Sequence, residues 1–140
     1  MAIEIIPAID LIDGKCVRLK QGDYDRVTQY SDSPLDVAKS FEDLGVTRLH
    51  LVDLDGAKST EPKNLAVLEA IASNTALKIE YGGGIKTTLG VESVFNSGAN
   101  WAICGSVAVQ DKPLFKEWIS RFGGDKLILG ADVKGRYIAT

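Results

Sequence analysis

Histidine and cysteine are scarce in this chain. Of its 140 residues one is histidine, His50, and two are cysteine, Cys16 and Cys104. Two cysteines placed like these have neither zinc-site spacing nor the density of a secreted disulfide scaffold, so reduced thiols are expected. Asp53 and Asp55 in Val52-Asp53-Leu54-Asp55-Gly56 could invite a metal. A cation needs more oxygen ligands than these, so turn capping is the reading and no metal is expected. No apolar run approaches the ~20 residues of a membrane helix. The N-terminus has no basic segment followed by a long apolar core, so no signal peptide is expected and the cytoplasm is the predicted location. There is no basic excess either: 16 Lys and Arg stand against 19 Asp and Glu, for a net charge of -3. That argues against a nucleic-acid surface but leaves room for local anion binding.

What the chain does have is ordinary globular composition, 45% hydrophobic and 25% charged, at a length suited to one core. Its order comes from short apolar runs: Ile3 to Asp10, Arg48 to Asp53, Ala76 to Tyr81, Asn100 to Cys104 and Lys126 to Asp132. The first is too continuously apolar for one exposed face, as in strands covered on both sides. Pro7 falls within the first run, and its missing N–H donor places an irregularity near that strand's end. After a turn at Asp13-Gly14, Cys16 to Leu19 reads as a hairpin arm over the end of the sheet, and residues 21–26 as a polar loop.

Helices are expected between the later strands. Ser33, Pro34 and Asp36 make a start signal, with Leu35, Ala38, Phe41 and Leu44 on one face and Gly45 as the stop. A second helix runs from about Asn64 to Ser73 and buries Leu65, Leu68 and Ile71. A third begins near Thr87 or Thr88, buries Val91, Val94 and Phe95, and stops at Gly98. Asp111 opens a fourth, whose Leu114, Phe115, Trp118, Ile119 and Phe122 face the core before Gly123-Gly124. Later strands recur at roughly 25 to 30 residues, the length of one βα unit in a closed barrel. Since a full barrel typically takes ~250 residues, the chain is predicted to be α/β, covering about strands 1 to 5 of a TIM (β/α)8 barrel. Residues 1–140 are then the N-terminal part of a single barrel domain. A compact five-stranded α/β sheet is the competing architecture.

Chemistry in such folds gathers where the strands end. Tyr81-Gly82-Gly83-Gly84-Ile85-Lys86 lies between a strand and a helix, where glycines let backbone N–H groups approach an anion. Gly105-Ser106 repeats this after the next strand, so Gly83, Gly84, Gly105 and Ser106 form a candidate phosphate site, with a plain turn as the alternative. Asp10 and Asp132 end the first and fifth strands, which lie across a barrel from each other. They could serve as general base and general acid, or simply cap loops and pair with cations. His50 and Asp53 are taken as cavity-lining, Arg18 and Lys86 as anion partners or solvated surface, and Trp101 and Trp118 as core.

The segments Ile6-Pro7-Ala8-Ile9-Asp10-Leu11-Ile12-Asp13-Gly14-Lys15-Cys16-Val17-Arg18-Leu19, Gln21-Gly22-Asp23-Tyr24, Leu49 to Ala57 and Gly82 to Ile85 carry a resemblance. They are similar, in order, to the phosphoribosylformimino-aminoimidazole carboxamide ribotide isomerases of histidine biosynthesis. The resemblance covers essentially the whole chain. It implies an Amadori rearrangement of a phosphorylated small molecule, without cofactor or metal. Asp10 falls on that family's general base, Asp132 on an aspartate usually assigned as general acid, and the two glycine turns on one phosphate. The family commonly has arginine where this chain has Lys86, which keeps the charge but loses the bidentate fork. The sister cyclase of the pathway is the alternative enzyme, although its first strand typically ends Pro-Cys-Leu-Asp where this one reads Pro7-Ala8-Ile9-Asp10. A non-catalytic half-barrel that binds phosphate and self-associates through its open edges is the alternative outside enzymes. Activity is expected to need the whole barrel.

Overall fold

A computed structural model describes residues 5–20, 23–130, 132–134 and 137–139, the last two stretches by their backbone alone. The strands are β1 (Ala8–Ile12), β2 (Lys15–Lys20), β3 (Asp23–Ser31), β4 (Arg48–Asp53), β5 (Lys78–Gly82), β6 (Trp101–Cys104), β7 (Leu127–Leu129), β8 (Asp132–Lys134) and β9 (Tyr137–Ala139). The helices are α1 (Pro34–Asp43), α2 (Leu54–Ala57), α3 (Leu65–Asn74), α4 (Thr88–Asn96), α5 (Val107–Gln110) and α6 (Lys112–Phe122). Seven strands form one sheet in the order β3-β2-β1-β4-β5-β6-β7, and β8 and β9 pair separately.

From β1 through β4, β5 and β6 to β7 every pairing is parallel and follows chain order. A doubly wound sheet reverses its strand order at a switch point, and this one does not. The helices also share one face. Ile9, Leu11, Leu49, Leu51, Ile79, Tyr81, Ala102 and Cys104 from the strands join Ala38, Leu68, Ile71, Val91, Val94 and Trp118 from the helices in a single buried cluster. Because side chains alternate along a strand, the intervening residues point to the opposite, helix-free face. One-sided winding of this kind belongs to a barrel wall, here open. Among the described residues, the outer edge of β7 has no partner strand, and Leu129 is exposed there.

The helix signals act as their chemistry dictates. Ser33 caps α1 by accepting from the Asp36 N–H, Thr87 caps α4 through the Gly90 N–H, and Asp111 caps α6 through the Leu114 N–H. Two expected core residues are not core: Leu44 lies at the C-cap beyond the last helical turn and is exposed, and Ile119 is exposed on α6. The free thiols of Cys16 and Cys104 are buried, and burial pushes the Cys104 thiol up to about 12.

The N-terminal and C-terminal strand expectations need correction. The first strand starts at Ala8, later than the run from Ile3, with Pro7 outside the ladder; Ile5 and Ile6 are exposed, and residues 3–4 lie outside the described residues. Residues 23–26 form part of β3, while Gln21 and Gly22 lie outside the described residues. At the other end the fifth parallel strand stops at Leu129. Asp132 therefore does not end that strand but opens the antiparallel β8–β9 pair, and its side chain lies outside the described residues.

Candidate functional site

On the helix-free face the register stacks side chains in rows. Ala8, His50, Glu80 and Trp101 are neighbours in one row, and Asp10, Val52, Gly82 and Ile103 in the next, nearer the C-terminal strand ends. Apart from Asp53 at the end of β4, the charged side chains of β1, β4 and β5 lie on this face. The Nδ1 of His50 lies 2.7 Å from Glu80 Oε1, and Arg48 donates from Nε and Nη2 to Glu80 Oε2 at 2.9 and 2.6 Å. The Arg48 guanidinium also sits 4.0 Å from the centre of the Trp101 ring, a cation–π contact. Trp101 is thus half-buried on the charged side, not part of the helix-facing core.

Asp10 occupies the next row; it does not end the first strand as expected, because pairing with β2 carries β1 on to Ile12. Partial burial raises its carboxyl above the ordinary aspartate value, and the nearby His50 opposes that rise. A carboxylate made more basic without being sealed from solvent suits proton abstraction.

A second polar cluster ties the loops at these strand ends together. Asp53 is fully buried and accepts from the N–H groups of Gly56, Lys63 and Asn64, from Asn64 Nδ2 and from the Tyr81 hydroxyl. The cavity-lining expectation for Asp53 is therefore corrected: strand alternation turns it to the helix side, where it caps α2. Asp55 accepts from the Asp13 N–H at 2.6 Å, and the Asn64 side-chain oxygen accepts from the Gly14 N–H at 2.9 Å. The β1–β2 turn, with Asp13 and Gly14 both at positive φ, is pinned to the loop after β4. Among the described residues no group of three or more His, Cys, Asp or Glu could hold a metal ion. No helix there is long and apolar enough to cross a membrane.

The glycine turns sit side by side because β5 and β6 are register neighbours. Gly83 and Gly84 have φ of +109° and +82°, and a side chain on Gly84 would meet the carbonyl oxygens of Glu61 and Gly56 at 2.6 Å. These glycines are thus required by loop packing, independently of any ligand. Gly105 is exposed and open, with Gly130 O the nearest atom at 3.8 Å from an added Cβ, and Ser106 follows at the start of α5. Lys86 Nζ donates to the Ser59 carbonyl at 2.9 Å, while Arg18 lies on the hairpin over the Tyr30 ring. The structure thus brings Asp10 and His50 together, and Gly83-Gly84 beside Gly105-Ser106. Arg18 is engaged on the hairpin instead. The sequence had assigned no role to Arg48, Glu80 or the Tyr81 hydroxyl; for Arg48 and Glu80 the available signal was polar residues on one face of otherwise apolar strands.

Residues 4–140 match the family described as histidine biosynthesis protein. The chain belongs to that family. Histidine biosynthesis proteins of this kind are TIM barrels, and the open singly wound sheet is part of such a barrel. Its relatives include proteins from Bacteroides thetaiotaomicron, 56% identical, Flavobacterium psychrophilum, 55%, and Flavobacterium johnsoniae, 54%, each over 137 residues. All three are named 1-(5-phosphoribosyl)-5-((5-phosphoribosylamino)methylideneamino)imidazole-4-carboxamide isomerase. Each match covers 98% of this chain but 57% of the relative, so the chain spans little more than half their length.

Proposed function

We propose that this chain contributes the general base and one phosphate-binding side of an aldose–ketose isomerase of histidine biosynthesis. The reaction is an Amadori rearrangement of the doubly phosphoribosylated imidazole carboxamide in the relatives' name. The sugar ring opens to a protonated Schiff base, and Asp10 takes the proton from C2. The electrons of that C–H bond form a C1–C2 double bond while the C=N electrons return to nitrogen, giving an enaminol. Proton return to C1 and loss of the C2 hydroxyl proton leave the aminoketose. Oxidation at C2 balances reduction at C1, so no external oxidant is required. Gly83, Gly84, Gly105 and Ser106 supply donors to one phosphate, with the Lys86 charge near their turn, and Asp132 is the proposed acid.

The observation that carries this reading is Asp10 itself. It lies within β1 on the helix-free face, one row from His50, and partial burial makes it more basic. The test uses this chain completed with the remaining part of the Bacteroides thetaiotaomicron relative. Asp10→Asn should lower kcat by about 10²-fold or more with KM little changed. Undiminished turnover would show that another group removes the proton.

A further inference from the structure

Glu80 is placed to decide which nitrogen of His50 carries the proton. Its side chain is 11% exposed and its two oxygens are divided between two partners. Oε2 accepts both bonds from Arg48, whose guanidinium also lies over the Trp101 ring. Oε1 faces His50 Nδ1 at 2.7 Å. A guanidinium only donates and an ionised carboxylate only accepts, so the hydrogen between Oε1 and Nδ1 belongs to the imidazole. In a neutral ring, Nε2 is then an acceptor. Among the described residues Nε2 has no hydrogen-bond partner, the side chain is 33% exposed, and Asp10 is near enough to interact electrostatically.

We infer that Glu80 is a positioning residue: anchored by Arg48, it locks His50 as the Nδ1–H tautomer and leaves Nε2 to accept a substrate hydroxyl beside Asp10. The catalytic consequence rests on the isomerase reading; the tautomer does not. Isolated imidazole side chains favour the opposite tautomer, so the lock has a spectroscopic signature.

His50 is the only histidine, so 15N-histidine labelling reports on it alone. Long-range proton–nitrogen correlation on the 140-residue chain, at a pH where the ring is neutral, should show Nδ1 protonated. In Glu80→Gln one oxygen must serve either Arg48 or His50. The charged, two-pronged Arg48 takes it and turns the amide NH2 toward Nδ1, so the proton should move to Nε2. An Nε2–H ring in the unmodified chain overturns the proposal, even if the variant fails to fold. An identical tautomer in a folded Glu80→Gln overturns it too. In the completed enzyme, Glu80→Gln should lower kcat by roughly 10²-fold with KM within about twofold, as for a misplaced catalytic group. A tautomer switch without loss of turnover overturns the catalytic half. Loss of activity in Asp10→Asn, measured alongside, tests the isomerase reading separately.

Discussion

Tyr81, on the helix-facing side of β5, donates its hydroxyl hydrogen to Asp53 Oδ2 at the end of β4 at 2.6 Å, and both residues are fully buried. That bond joins one strand to the capping group of the neighbouring strand's loop. Burial and the Asp53 charge hold the phenol far above its ordinary value, so it remains a donor throughout the working pH range.

Removing the hydroxyl in Tyr81→Phe should therefore cost about 1–3 kcal/mol, since a buried charged acceptor loses one partner. Asp53→Asn should cost more, about 3 kcal/mol or above, because its NH2 must face a group that also donates. Urea unfolding at neutral pH measures both. Equal stability of Asp53→Asn and the parent chain would mean that this cluster does not hold the loops together.

Glycine requirements at the turns separate into two kinds. Gly14 has φ of +73° but open space around a would-be Cβ, whereas Gly84 combines φ of +82° with backbone carbonyls at 2.6 Å. Gly14→Ala should cost about 1–2 kcal/mol, the penalty of the left-handed conformation alone. Gly84→Ala should exceed that clearly, by about 2 kcal/mol or more, because the β5–α4 turn must move away from Glu61 and Gly56. Unfolding midpoints of the two variants compare these costs directly, and a smaller loss for Gly84→Ala would contradict the close packing.

The parallel strands and main helices were legible because burial leaves continuous apolar runs and helix caps leave Ser33, Thr87 and Asp111. Strand β3 was not. Most of Asp23–Ser31 is exposed, so no apolar alternation marks it, and its pairing with β2 supplies the order that composition hides. The polar row was missed for a related reason. Glu80 between Ile79 and Tyr81 reads as an interruption in an apolar run until register sets it against His50. Asp10 was legible as the carboxylate that interrupts the first apolar run, although the strand continues past it to Ile12. For Asp53 the strand-end position was informative, but its direction depends on counting alternation from a strand start known to the residue.

Asp10 ties function to a stability cost with a definite pH signature. Its folded-state pKa is raised above the ordinary value of 3.8 by desolvation, so the folded chain binds this proton more tightly than the unfolded chain does. The stabilisation from protonating Asp10 is complete below 3.8 and is lost as pH rises through the folded value; above that, the half-buried charge opposes folding. Asp10→Asn removes the charge while keeping the shape. The variant should unfold at a higher urea concentration than the parent at pH 7, and the gap should narrow as pH is lowered toward 4. Parallel urea titrations at several pH values read both the sign and the window. A variant less stable than the parent at pH 7 would mean that attraction to His50 outweighs desolvation at this site, so that Asp10 is held as an ion-pair partner and not poised as a base.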